Sequence, residues 1–141
     1  MIMKKIFMMT MLMLALISCK DQVQQISGSY SYKISGRANI EGNIRNLSDE
    51  IGTMDILHKT ADSAVLTFNA LQGPVYYTTA KIKGKQIELD TINRIVTYAT
   101  GQHPVKVAGS GTIYSESIIF NLRYMGTTLN ADSLVMVCKK N

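Results

Sequence analysis

The sequence predicts an all-β domain: an antiparallel meander of eight or nine strands that closes into an up-and-down barrel, with a β-sandwich as the competing arrangement. Three observations carry this. Beyond residue 25 the chain runs in short stretches rich in Tyr, Thr, Ile and Val with alternating apolar side chains, and none sustains a 3.6-residue apolar period. Gly, Asn, Asp and Pro break these stretches at fairly regular intervals. Eight or more antiparallel strands on short turns suffice to close a ring and remove the exposed edges that invite aggregation.

Before the strands comes a targeting element. Lys4 and Lys5 precede an apolar run from Ile6 to Leu16, interrupted by Thr10, and the run ends at Leu16-Ile17-Ser18-Cys19 before the polar Lys20-Asp21-Gln22. These are the n-region, h-region and small-residue cleavage site of a secretory signal, too short for the roughly 20 apolar residues of a membrane span. Leu16-Ile17-Ser18-Cys19 resembles the lipobox of bacterial lipoproteins. The resemblance implies cleavage after residue 18 and lipid chains on Cys19, which anchor a protein stably once two or more are present. In that family Asp directly after the cysteine favours the inner membrane. Here Lys20 follows, so the resemblance implies the outer membrane, on either face. Residues 1–18 are thus the expected leader, 19–25 the lipidated cysteine and a polar tether, and 26–141 one barrel domain.

The first strand places Ile26, Tyr30, Tyr32, Ile34, Ala38 and Ile40 on one parity, with Gly28 and Gly36 on the same face where a strand bends. Met54–Leu57, Ala64–Phe68, Val75–Ile82, Gln86–Leu89 and Ile95–Ala99 follow, separated by Ala61-Asp62-Ser63, Gln72-Gly73-Pro74 and Lys83-Gly84-Lys85. In the last of these the glycine permits a tight hairpin. Val105–Tyr114, Ser117–Met125 and Ser133–Lys139 complete the set, with Ile118, Phe120, Leu122 and Tyr124 sharing a face.

With the lipobox, the Gly28-Ser29-Tyr30 opening, the Gly109-Ser110-Gly111 strand and the following Ser117-Ile118-Ile119-Phe120-Asn121-Leu122, the chain is similar to calycin-like (lipocalin-like) bacterial lipoproteins. Tyr30 stands where lipocalins carry the Trp of Gly-x-Trp, and the chain has no Trp. The resemblance implies a barrel that holds a small ligand. A barrel of about eight strands can equally be filled by its own side chains.

Charge narrows the partners. Lys4 and Lys5 leave with the leader, taking the formal charge from +5 to +3, and the remaining basic residues are scattered without an aromatic-interleaved stripe. Nucleic-acid binding is therefore not expected. If Cys19 is a thioether, Cys138 has no disulfide partner, and its place in Leu134-Val135-Met136-Val137-Cys138 suggests a small core hydrophobe.

No catalytic or metal site is expected, and no cofactor. His58, at a strand end, and His103, in a loop before Pro104, lack metal-ligand spacing with Cys, Asp or Glu. Glu88 and Asp90 lie two apart on one strand, a spacing open to paired-carboxylate chemistry, but Ile87 and Leu89 already claim the core face. Gly109-Ser110-Gly111 lacks both the nucleophile elbow and the phosphate-loop spacing, and reads as a bulge or sharp bend. Tyr76, Tyr77, Tyr98, Tyr114 and Tyr124 are the candidate ligand-binding residues, since tyrosines at a barrel mouth offer ring faces and hydroxyls together. The functional expectation is a non-enzymatic envelope lipoprotein, held on the membrane through Cys19, that binds a small apolar or glycan-like ligand. The alternative is a solid barrel whose outer surface docks an envelope protein partner.

Overall fold

The computed structural model describes residues 22–71 and 73–141. The leader and Cys19 lie outside the described residues. A short helix, α1 (Gln22–Ile26), is followed by β1 (Gly28–Ile40), β2 (Asn43–Thr60), β3 (Ser63–Ala70), β4 (Val75–Lys83), β5 (Gln86–Tyr98), β6 (Gly101–Ile113), β7 (Ser117–Met125) and β8 (Leu129–Lys140). Each strand pairs antiparallel with its sequence neighbours. β8 returns to β1, from Tyr30↔Lys140 to Ile40↔Leu129. The ring is closed, and a sandwich is excluded.

Alternation sets the two faces. Tyr30, Tyr32, Ile34, Ala38 and Ile40 of β1 and Ile118, Phe120, Leu122 and Tyr124 of β7 are buried, as their parity predicts. Ser31, Lys33 and Arg37 on β1, Lys81 and Lys83 on β4 and Arg123 on β7 point outward and are exposed. This is the reverse of a membrane-spanning barrel, which carries an apolar band outside and polar residues inside. The ring itself therefore does not suit a lipid environment.

Bulges bend the staves and switch their parity. On β2, Gly36 pairs with Leu47 but Ile34 with Glu50, so two residues of β2 oppose one of β1. On β5, Leu89 pairs with Gly109 but Ile92 with Val107, which places the irregularity at Asp90-Thr91. Before it Ile87 and Leu89 face inward; after it the even-numbered Ile92, Arg94, Val96 and Tyr98 do. The two runs expected at Gln86–Leu89 and Ile95–Ala99 are thus one bulged strand, which is why the count is eight.

Three further expectations change. Met54–Leu57 proves to be part of the second half of the 18-residue β2. Gly109-Ser110-Gly111 is neither bulge nor bend, since its register against Leu122, Asn121 and Phe120 is unbroken. A Cβ at Gly111 would lie 2.7 Å from Phe120 Cδ1, so the glycine makes room for that ring across the strand pair. Finally, the tether expected as far as Gln25 gives way at Gln22 to α1, whose Val23 and Ile26 are buried in the core cluster. Tyr30 Oη donates to Ile26 O at 2.8 Å and Lys140 Nζ to Gln25 O at 3.1 Å, fastening α1 to the barrel end where β1 begins.

Up-and-down connectivity puts α1 and the turns after β2, β4 and β6 at one end of the barrel. The turns after β1, β3, β5 and β7 form the other, which is the mouth. One joint there is incomplete. β4 and β5 share a ladder only from Ala80↔Leu89 to Lys83↔Gln86. Toward the mouth, side-chain hydroxyls replace it: Thr78 Oγ1 donates to Asp90 O at 2.8 Å, and Tyr76 Oη accepts from Ile95 N at 3.0 Å while donating to Ile95 O at 2.5 Å.

Candidate functional site

The mouth holds a cup of about 700 Å³. Leu47 and Ile51 of β2, Leu71 after β3, Tyr76 of β4 and Val96 and Tyr98 of β5 contribute to its wall. The volume lies within the roughly 300–1,000 Å³ usual for small-molecule sites.

Its floor is polar, and the two bulges put it there. Arg94 follows the β5 bulge and Glu50 the β2 bulge, so both project inward and lie only 10% and 11% exposed. Arg94 Nη2 pairs with Glu50 Oε1. Arg94 Nη1 donates to Tyr124 Oη at 3.1 Å, and Tyr124 Oη donates to Glu50 Oε2 at 3.0 Å, closing a triangle across the barrel from β5 to β2 and β7. The guanidinium lies 4.9 Å from the centroid of Tyr76 and 5.6 Å from that of Tyr124, within cation–π range of both. Beneath the triangle a small apolar void is lined by Phe68, Leu89, Val107 and Met136 among others.

The electrostatics follow from burial. Burial opposes the Arg94 charge, but the Tyr124 oxygen and the Glu50 carboxylate more than offset it and hold the guanidinium above its usual range. Burial first, then Glu50, raises the phenols of Tyr124 and Tyr98, so both remain hydrogen-bond donors far into alkali. Among the described residues, Arg94 Nε and Tyr98 Oη are buried without a hydrogen-bond partner. They are two donors in want of an acceptor.

The five candidate tyrosines separate into two groups. Tyr76 and Tyr98 line the cup and Tyr124 lies under it, fully buried. Tyr77 is 67% exposed on the outer face of β4, and Tyr114 is 54% exposed beyond β6, away from the mouth. Glu50 and Arg94 escaped the sequence reading. The signal was present in parity, because Arg94 alternates with Ile92, Val96 and Tyr98, and Glu50 with Met54 and Ile56.

Other singled-out residues take structural places. His103, expected in a loop, belongs to β6 and is buried, with Nε2 bonded to Thr100 Oγ1 at 2.9 Å and Nδ1 to Thr128 Oγ1 at 2.8 Å. It braces two mouth turns. His58 is exposed on β2, and Glu88 and Asp90 are exposed on β5. No group of three or more potential metal ligands occurs among the described residues. Cys138 is fully buried, and burial pushes its thiol up to about 12, which makes it unreactive at neutral pH.

No family model matches the chain, and no curated protein matches it in sequence. Solved structures do match in fold. A redesigned β-barrel, b11L5F_LGL, superposes with a TM-score of 0.54 at 11% identity, over 88% of this chain and 97% of its own. The chain shares its fold with this redesigned β-barrel. A second redesigned barrel, mFAP1, solved bound to DFHBI, gives a TM-score of 0.54 at 11% identity over 86% of this chain and all of its own. A candidate outer membrane protein of Bacteroides fragilis reaches 0.49 at 10% identity, over 84% of this chain and 52% of its own, too slight a likeness to bear on function.

Proposed function

We propose that this chain is a lipid-anchored protein of the bacterial outer membrane whose barrel binds a small molecule at its mouth without transforming it. The cup carries the reading: a cavity of about 700 Å³, apolar and tyrosine-lined on its walls, with a polar floor of buried charges and two donors unpartnered among the described residues. A barrel built only for stability has no reason to keep such a floor, since a buried ion pair is commonly matched or bettered by apolar side chains of like volume. The designed barrel solved with DFHBI supports the reading to the extent that this fold accommodates a small ligand. Lipidation of Cys19 supplies the membrane attachment that the polar outer face of the ring does not.

Native mass spectrometry of the protein purified gently from its own bacterium tests the binding. A small-molecule adduct that leaves on denaturation supports it, and a bare mass in every preparation counts against it. For the anchor, Cys19→Ser should move the protein from the membrane fraction to the soluble fraction, and unchanged fractionation removes that half of the proposal.

One observation favours a second reading, a barrel that docks an envelope protein. Val75, Tyr77 and Ile95 face outward on either side of the β4–β5 joint and are 45%, 67% and 44% exposed. In that case the mass experiment returns a protein partner instead of a small adduct, and Tyr77→Ser with Ile95→Ser abolishes the association.

A further inference from the structure

The floor of the cup is electrically balanced but unbalanced in hydrogen bonding. Arg94 and Glu50 neutralise one another, so among the described residues the floor presents no net charge. Both Glu50 oxygens already accept a hydrogen bond, from Arg94 and from Tyr124. Arg94 Nε–H and Tyr98 Oη–H have no acceptor among the described residues. Buried donors left unpaired carry their full desolvation cost, and an occupant that supplies an acceptor relieves it.

An anion would supply acceptors too, but it would have to approach the Glu50 carboxylate in a water-poor site where like charges repel strongly. Arg45 on the rim is exposed, and its charge is screened by solvent. A ligand that is only a donor, such as an amine, would leave Arg94 Nε–H and Tyr98 Oη–H without an acceptor and would meet the Arg94 charge.

We infer that the cup takes an uncharged molecule with an apolar body and a carbonyl or ether oxygen at its leading end, the oxygen being held by Arg94 Nε and Tyr98 Oη. This rests on the ligand-binding reading above and narrows it to one chemical class. Ile40, Leu47, Ile51 and Val96 provide the surface for the apolar body, and the Tyr98 ring provides a flat flank. Both donor atoms are shielded from water, so the Tyr98 ring swings toward the occupant to deliver its hydroxyl. Arg94 Nε is shielded in the same way, so the guanidinium tilts toward the occupant while its Nη atoms keep their bonds to Glu50 and Tyr124.

The test uses two dyes on the soluble chain from Lys20, which contains the closed ring and its whole described core. Prodan is an uncharged naphthyl ketone whose emission reports both apolar burial and hydrogen bonding to its carbonyl. ANS is a naphthalene sulfonate of similar bulk with a fixed negative charge. Prodan should bind saturably with emission blue-shifted from water, and ANS at least about tenfold more weakly. Tyr98→Phe should weaken Prodan about five- to tenfold, the loss of one hydrogen bond, and move its emission further to the blue. Arg94→Lys, which keeps the charge facing Glu50 but removes Nε–H, should weaken Prodan as well, and Glu50→Gln should strengthen ANS. Thermal melts of each variant establish that it is folded.

ANS binding as tightly as Prodan overturns the inference, as does a Tyr98→Phe protein with unchanged Prodan affinity and emission. If Prodan fails to bind while the natively purified protein carries a small-molecule adduct, the ligand class is wrong and the binding reading stands. If dye and adduct are both absent, the two fall together.

Discussion

Replacing Arg94 by Met, Glu50 by Leu, and both at once tests how the floor of the cup is held. Each side chain is about nine-tenths buried, so removing one partner strands the other in a low-dielectric site. Breaking a buried pair in this way costs about 3–5 kcal/mol. Arg94→Met should fall near the lower end, at about 3 kcal/mol, because Glu50 keeps its hydrogen bond from Tyr124 at 3.0 Å. Glu50→Leu should cost a similar amount, since the Tyr76 and Tyr124 ring faces continue to receive the guanidinium. Against a domain stability of about 5–15 kcal/mol either loss is large. The double variant leaves no stranded charge and should sit at least about 2 kcal/mol above the sum of the singles, close to the parent or more stable than it. Urea unfolding followed by far-ultraviolet circular dichroism, with the slope checked for constancy, reads all four proteins. Single costs below about 1 kcal/mol, or a double that adds to within about 0.5 kcal/mol, would refute the triangle as a coupled unit.

Three more expectations follow from the packing. A Cβ at Gly52 would lie 2.3 Å from Asn69 O and 2.7 Å from Tyr32 Cζ, so Gly52→Ala must push β2 away from β3 or displace the Tyr32 ring. A loss of about 1–3 kcal/mol in urea unfolding is expected, and an unchanged midpoint would contradict the close approach. Tyr76→Phe removes the hydroxyl that serves both the N–H and the C=O of Ile95, so amide exchange at Ile95 should quicken severalfold while exchange at Ile87 stays constant. Burial raises Tyr32 from 10.0 to about 12 and Cys138 from 9.0 to about 12. Such groups are acids held protonated by the fold: their contribution is intact below about pH 9 and is lost toward pH 12, at about 1.4 kcal/mol for every tenfold by which folding weakens each acid. The urea midpoint should fall steeply over that window, and a flat profile there would show that folding does not weaken these acids.

Much of the ring was legible because parity is a local property. Tyr30 through Ile40 and Ile118 through Tyr124 alternate without interruption, and Gly84 marks its hairpin, with φ of 60°. Parity is also what concealed the floor. A bulge moves one residue out of phase, so Leu89 and Arg94, odd and even, both face inward on one strand, and a charged residue passes for surface if the phase is carried through unbroken. The first half of β2 was hidden for a related reason: Asn43 to Asp49 is mostly polar and contains a bulge, leaving no alternation to read. Pro104 makes His103 read as loop, yet Pro104 is exposed on β6, and the buried histidine is held by Thr100, three residues before it, and by Thr128 on another mouth turn. α1 is a single turn too brief to show a helical period, and its place in the core depends on tertiary contact alone.

The short ladder between β4 and β5 determines where the ring breathes. Four positions are paired there, against seven or more at every other joint. Fluctuations that separate strands start where the fewest backbone bonds must break, and each such event lays bare two strand edges at the mouth. Another barrel opened in the same way can pair with them, so concentrated solutions are expected to associate by exchange of strands at this joint before any global unfolding. Closure protects this protein from edge pairing only for as long as the joint stays shut, which makes its solubility on storage a matter of opening rate as much as of architecture.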